Sequence, residues 1–416
     1  MAVSITRAQC QALDDSDPLA PLRARFSLPE GVIYLDGNSL GARSQSAMAV
    51  AKRVIEREWG VGLIRSWTAA DWIDGPLRVG TVLARLLGAA EGQVLVTDST
   101  TANLFKLLTA ALHHQAPRRV VLLEEENFPA DNYIAQGVAR AMAADVELRR
   151  VPGADLEHAL DEDVAVVVAS HVNYRSGVAL DMAGINARAA QVGALTLWDL
   201  AHSAGVLDVR LDETGADLAV GCGYKYLNGG PGAPAFLYVA RRHQRTLQSP
   251  MAGWMGHAQP FEFGPDYEPA PGILRFACGT PGIVGLSLLE DALDQLRDVA
   301  AAELQAKASR MVRTFIELVR ERCPEPEMQR LGPDEFDDGQ RGGHVTITHP
   351  QGYGVVQALI ARQVIPDFRA PGGMRFGFAP AYTSFVDLWD AVQHLREVLD
   401  GREYDDPCHQ TRSRVT

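Results

Sequence analysis

Between about residues 93 and 240 the sequence alternates short apolar, β-branched runs with stretches of helical period, and that alternation restricts the chain to a sheet built from β-α-β units. QVLVTD, RRVVLLEEE, VAVVVAS, LTLWDL, ADLAVGC and AFLYVAR read as strands, with TTANLFKLLTAALHH and DMAGINARAAQVG among the amphipathic stretches between them. Strands this continuously apolar are buried on both faces, so a helix-covered, mainly parallel sheet is predicted. With 416 residues the chain exceeds one compact domain, and two domains sharing an interface are expected. After about residue 285 a long helical run over 286–323 leads into a Pro/Asp/Gly-rich stretch at 324–343. Beyond it HVTITH, YGVVQALIARQ, MRFGFAP and FVDLWDAVQHLREVLDG predict a smaller α+β unit, and the last fifteen residues read as a frayed tail.

The formal charge of −13, without any dense Lys/Arg block, argues against nucleic acid as a partner. The apolar runs are strand-length rather than membrane-length, and MAVSITRAQCQALDD lacks an apolar signal region, so a soluble, cytoplasmic protein with no membrane partner is expected. Cys10, Cys222, Cys278, Cys323 and Cys408 show no C-x-x-C spacing, which points to reduced thiols and no metal site.

The strongest chemical signal is a pair of motifs, WDLAHSAG at 198–205 and GCGYKYLNGGPG at 221–232, each at a strand exit. In an open α/β sheet the ligand crevice lies beyond the carboxyl ends of the strands, which would bring Asp199 and Lys225 to one ligand. Pyridoxal 5′-phosphate (PLP) chemistry uses such a pair: an amine holds the cofactor aldehyde as a Schiff base, and a carboxylate keeps the pyridine nitrogen protonated. The glycines around Lys225 permit close approach of backbone to a flat cofactor. In STTANLF, Thr100 and Thr101 open a helix whose hydroxyls and first amides suit a phosphate, although taken alone the segment reads better as a simple helix cap.

Together LDGNSLG (35–41), NFPAD (127–131), WDLAHSAG and GYKYLNGGPGAP resemble the kynureninase family, within the larger aminotransferase-like PLP fold. The resemblance implies a PLP-binding large domain with a mainly parallel seven-stranded sheet over 46–290, a C-terminal small domain over 291–416, and an N-terminal segment, 1–45, shared between the small domain and an active-site loop. It also implies a homodimer that hydrolyses L-kynurenine to anthranilate and L-alanine in tryptophan catabolism. Carried onto this sequence, it gives Lys225, Tyr224 and Asp199 catalytic roles. It sets Thr100, Thr101, Phe128, Asp131, Ser170, His202 and Trp254 around PLP, with Thr280 arriving from the neighbouring subunit. Arg375, in GGMRFGFAP, would take the substrate α-carboxylate through its guanidinium fork, with Asn38 and Trp67 as further substrate contacts. Animal members, which favour 3-hydroxykynurenine, carry a histidine and an asparagine near the aromatic ring. Here WGVGLIRSW (59–67) holds no histidine and Thr280 aligns with the asparagine, which predicts preference for the unhydroxylated ring.

Other readings compete with this one. A cysteine desulfurase shares the fold and the lysine but needs an activated cysteine on a mobile loop, and nothing beside Cys323 supplies the activation. GNSLG satisfies the G-x-S-x-G pattern of an esterase elbow at Ser39, yet too little chain precedes it and LGARS reads as loop. A PLP-binding regulator would require an appended DNA-binding module, for which the acidic chain leaves no room.

Overall fold

The structure is a computed structural model, and it describes residues 5–142, 145–324, 326–333 and 335–412. Its centre is a seven-stranded sheet of β1 (Val94–Val96), β2 (Val120–Glu124), β3 (Glu147–Val151), β4 (Val164–Ser170), β5 (Leu195–Asp199), β6 (Leu218–Cys222) and β7 (Ala235–Val239). The spatial order is β1-β7-β6-β5-β4-β2-β3. Strands β3, β2, β4, β5 and β6 run parallel, and β7 lies antiparallel between β6 and β1. Every residue of β4, β5, β6 and β7 is buried, as apolar runs covered on both faces require. Helices α1 (Thr100–His114), α2 (Pro129–Ala141) and α3 (Met182–Val192) supply crossovers between these strands. Leu104, Leu107 and Leu108 of α1 pack with Val166 and Val168 against one face. Ile185 and Ala189 of α3 pack with Val167 and Trp198 against the other.

Six of the seven strands are the runs read from the sequence; the seventh, β3, is ELRRV. As an edge strand it is largely solvent-facing, so its sequence carries no apolar run to reveal it. The single helical run expected over 286–323 is two helices, α4 (Ile283–Asp294) and α5 (Ala301–Arg322). The carboxylate of Glu303 accepts from the Ala300 amide and starts α5 as a separate helix, with no glycine or proline to announce the break.

A second core lies under a four-stranded antiparallel sheet of β8 (Gln329–Arg330), β9 (His344–Thr348), β10 (Asp367–Arg369) and β11 (Gly373–Gly377), in the order β10-β11-β9-β8. Helices α5, α6 (Gly352–Ala361) and α7 (Phe385–Asp400) fill it with Phe315, Val355 and Leu388, and Cys10 and Leu35 join from the N-terminal segment. The expectation of a frayed tail is corrected here. Tyr404 is buried in this core, and the Thr411 carbonyl accepts from the Tyr353 hydroxyl at 2.9 Å, because the tail carries one aromatic anchor that its polar composition masks. Residues 413–416 of that tail lie outside the described residues. No helix among the described residues is long and apolar enough to cross a membrane.

Candidate active site

The sheet register puts Ser170 opposite Asp199, and Asp199 opposite Val220, so the ends of β4, β5 and β6 open at one level. The loop after β6 carries Tyr224 and Lys225 over that edge, and Gly41 of the LDGNSLG segment donates its amide to the Tyr224 carbonyl at 2.8 Å. A Cβ on Gly41 would fall 2.3 Å from the Lys225 carbonyl oxygen, so only glycine lets the two loops meet.

Between these ends lies a cavity of about 90 Å³ lined by Thr100, Thr101, Phe128, Ala130, Asp131, Ser170, Asp199, Ala201, His202, Tyr224 and Lys225. Apart from Ala130 and Ala201, every lining residue is one the sequence singled out. Lys225 Nζ stands 3.0 Å from His202 Nε2 and 5.9 Å from the centre of the Phe128 ring. Asp199 accepts from the Ala201 amide at 2.8 Å and hydrogen-bonds to Asp131, and both carboxyls are buried. Burial and the neighbouring charge of Asp199 hold the Asp131 carboxyl well above the usual range, so it keeps its proton and donates it to Asp199. Burial also raises Asp199, but the Lys225 ammonium, the Ala201 amide and the Asp131 proton all favour its anion. Asp199 is therefore the charged member of the pair. Burial pushes the Tyr224 phenol above its ordinary value, so it is a proton donor near neutral pH.

The cavity suits PLP on these observations. The amine, the buried carboxylate pair and the ring of Phe128 surround one space. At one end Ser99 caps α1 through the Ala102 amide, which leaves the first amides of the helix, at Thr100 and Thr101, without intrahelical acceptors. Such a terminus favours a phosphate.

The remaining singled-out residues lie elsewhere. Trp254 and Thr280 are exposed, and Trp67 stacks edge-on against Trp72 at 5.9 Å. Arg375 is buried beside the site, with Nε 2.9 Å and Nη2 2.5 Å from the two oxygens of Asp367. Its Nη1 donates to the Tyr174 carbonyl at 2.8 Å, and the Asn38 amide oxygen, turned towards it, accepts from Nε at 2.9 Å. Ser39 accepts from Arg375 Nη2 at 2.8 Å and donates to Asp367 at 3.0 Å, so GNSLG serves this ion pair and is no nucleophile elbow.

Sequence reasoning missed Asp367, Asn127 and His344. Asn127 accepts from the Ser170 hydroxyl at 2.6 Å and opens the NFPAD motif, whose first residue was the available signal. Asp367 and His344 open short strands, where a polar residue carries no local mark of function.

A family model described as the kynureninase C-terminal domain matches residues 304–395. The kynureninases of Burkholderia pseudomallei strain 1106a and of Pseudomonas fluorescens are 51% and 50% identical to the chain, covering 99% of it and 100% of each relative. Among solved structures, the apo cysteine desulfurase of Thermococcus onnurineus NA1 has a TM-score of 0.76 at 19% identity, over 92% of this chain and 98% of that one. A C-DES lysine-to-alanine mutant with glycine covalently linked to the PLP cofactor gives 0.76 at 20%, over 92% and 99%. Those two likenesses establish the shared fold. Identity near one half over the full length establishes more, and the chain belongs to the kynureninase family.

Proposed function

We propose that Lys225, Asp199 and Tyr224 carry the kynureninase reaction of this chain, the PLP-dependent hydrolysis of L-kynurenine to anthranilate and L-alanine by Cβ–Cγ cleavage. The observation that supports it is the convergence of Lys225 and the Asp131–Asp199 pair on one cavity with the amides of α1 at its far end. When bound, PLP supplies an electron sink that stabilises the charge developing beside Cα and thereby weakens the Cβ–Cγ bond.

The chain's own groups do the rest. Lys225 holds the cofactor and its amine moves the proton at the substrate Cα. Asp199, kept anionic by its donors, holds a proton at the facing ring nitrogen, and Asp131 keeps Asp199 in place. Thr100 and Thr101 bind the phosphate, Ser170 and His202 flank the ring, and the Phe128 ring covers it. Tyr224, protonated near neutral pH, donates a proton to the departing side chain. Arg375 orients the substrate through its α-carboxylate, with Asn38 beside it, and Trp67 contributes to the aromatic side.

The exposure of Thr280 supports a homodimer in which it completes the neighbouring subunit's phosphate site, while Trp254 and Tyr224 serve as phosphate donors. The same reading takes 1–45 with 291–416 as the small domain, in keeping with Cys10 and Leu35 in its core. It is a soluble, cytoplasmic enzyme that handles neither nucleic acid nor membrane. The desulfurase alternative has no support from the cysteines: none of the five lines the cavity, and Cys323 is buried. Incubation of the purified protein with L-kynurenine tests the reading: anthranilate release is expected, and its absence from a PLP-loaded preparation refutes it.

A further inference from the structure

Beside the cavity stands a buried histidine to which the reaction above gives no part. His344 opens β9 and is wholly buried, and no side chain hydrogen-bonds to either of its ring nitrogens. Its ring centre lies 5.4 Å from that of His202, with the planes tilted by 54°. The approach is built in. A Cβ on Gly342 would fall 2.6 Å from Val172 Cγ1, and one on Gly343 2.7 Å from Val206 Cγ2 and 2.9 Å from the Tyr226 hydroxyl, so two consecutive glycines let the chain entering β9 pack this closely.

His202 needs such a neighbour. Lys225 Nζ and His202 Nε2 stand 3.0 Å apart, and whenever the lysine amine is free of the cofactor and donates across that gap, a neutral His202 carries its proton on Nδ1. Burial and the charges of Lys225, Arg375 and Arg369, with His344 close by, hold His202 far below its ordinary pKa and therefore neutral. Its Nδ1 is buried and has no partner of its own. Which nitrogen of a histidine is protonated is set by the bond the other makes, and an unpaired Nδ1 leaves the tautomer unfixed. His344 is also held neutral, by burial and by Arg375, Arg341 and Lys225, so one of its nitrogens is an acceptor. The Tyr174 backbone stands close enough to take the proton on the other.

We propose that His344 is a positioning residue: its imidazole accepts the Nδ1 proton of His202, by a small ring turn or across one water, and fixes the face that His202 turns to Lys225. The line runs Lys225, His202, His344, with the orphaned Tyr226 hydroxyl bordering the same space. It rests on the reading of Lys225 as the cofactor lysine, but it concerns a bond between two histidines that can be observed without turnover.

The test uses histidine-15N-labelled holoenzyme, in which ring shifts report tautomer and hydrogen bonding. His202 signals are assigned by their loss in His202→Asn. In wild type His202 Nδ1 should show a hydrogen bond, and in His344→Leu that signature should vanish. The same variant should shift the pH titration of the cofactor absorption band and lower kcat roughly tenfold or more, the scale of a misplaced proton-transfer group, while KM changes less. His344→Gln, whose amide can reach Nδ1, should restore most of the spectrum and rate. A wild-type His202 Nδ1 without a hydrogen bond overturns the proposal even where His344→Leu fails to fold. A folded His344→Leu with unchanged His202 signals and an unchanged spectral titration overturns it equally. Failure of the Lys225 reading would show differently, as a reducible cofactor linkage surviving in Lys225→Ala.

Discussion

Arg375 and Asp367 face each other across the small sheet as a buried, two-point ion pair, in which the carboxylate occupies the Nε and Nη2 edge of the guanidinium. Nη1 keeps one N–H on the Tyr174 carbonyl and has a second to offer a substrate carboxylate. Asp367→Asn leaves the buried arginine short of a counter-charge. Removing one member of such a pair costs about 3–5 kcal/mol, so a large fall in the denaturant midpoint is expected. Arg375→Lys keeps the charge but loses the fork. Its KM for L-kynurenine should rise about tenfold or more with a smaller change in kcat, and steady-state kinetics decides it.

Lys225→Ala should abolish the borohydride-reducible cofactor linkage and nearly all anthranilate formation. Reduction with labelled borohydride followed by peptide mapping checks it, and a labelled peptide from another lysine would refute the assignment.

Glu124, at the end of β2, is buried, and this pushes its carboxyl up to about 7 from 4.5. The folded protein therefore binds that proton more tightly than the unfolded chain does. The associated stability is whole below pH 4.5 and is lost as pH rises through about 7. Glu124→Gln keeps an oxygen for the Asn173 amide, now 3.0 Å from the carboxylate, and removes the charge. At pH 8 the variant should be more stable than wild type by about 2 kcal/mol, the difference vanishing near pH 4. Denaturant melts at the two pH values measure it, and an equal difference at both would contradict the burial argument.

The ring-binding prediction comes from comparing kcat/KM for L-kynurenine and its 3-hydroxy derivative. A pocket without partners for the ring hydroxyl must desolvate it at about 1–3 kcal/mol, which is about tenfold or more in favour of the unhydroxylated ring. Equal values, or the reverse order, would refute the assignment. In the proposed dimer the exposed Thr280 would reach the neighbouring subunit's site, and light scattering on the active protein should report a dimer.

Much of this is legible in the sequence. The apolar runs of β1, β2, β4, β5, β6 and β7 identify themselves because burial on both faces leaves few polar positions, and the motifs at their ends identify most of the cavity. β3 was hidden because an edge strand does not need that pattern, and the gap between α4 and α5 because a side-chain cap, not a breaker residue, marks it. Asp367 and His344 were out of reach for a different reason. Their meaning lies in Arg375 and His202, residues of other elements, and sequence periodicity reports a residue's own surroundings rather than its distant partner.

The pairing of Ser170 with Asp199 across β4 and β5 has a consequence for redesign. Ser170 and Asp199 occupy the last rungs of a ladder, and their spacing is that of the rungs. A deletion or insertion of one residue inside β5 would turn Asp199 to the opposite face, and one inside β4 would do the same to Ser170. The loops beyond those rungs are not bound in this way. Chemistry on this scaffold is best altered by grafting at the strand tips, with strand length left alone.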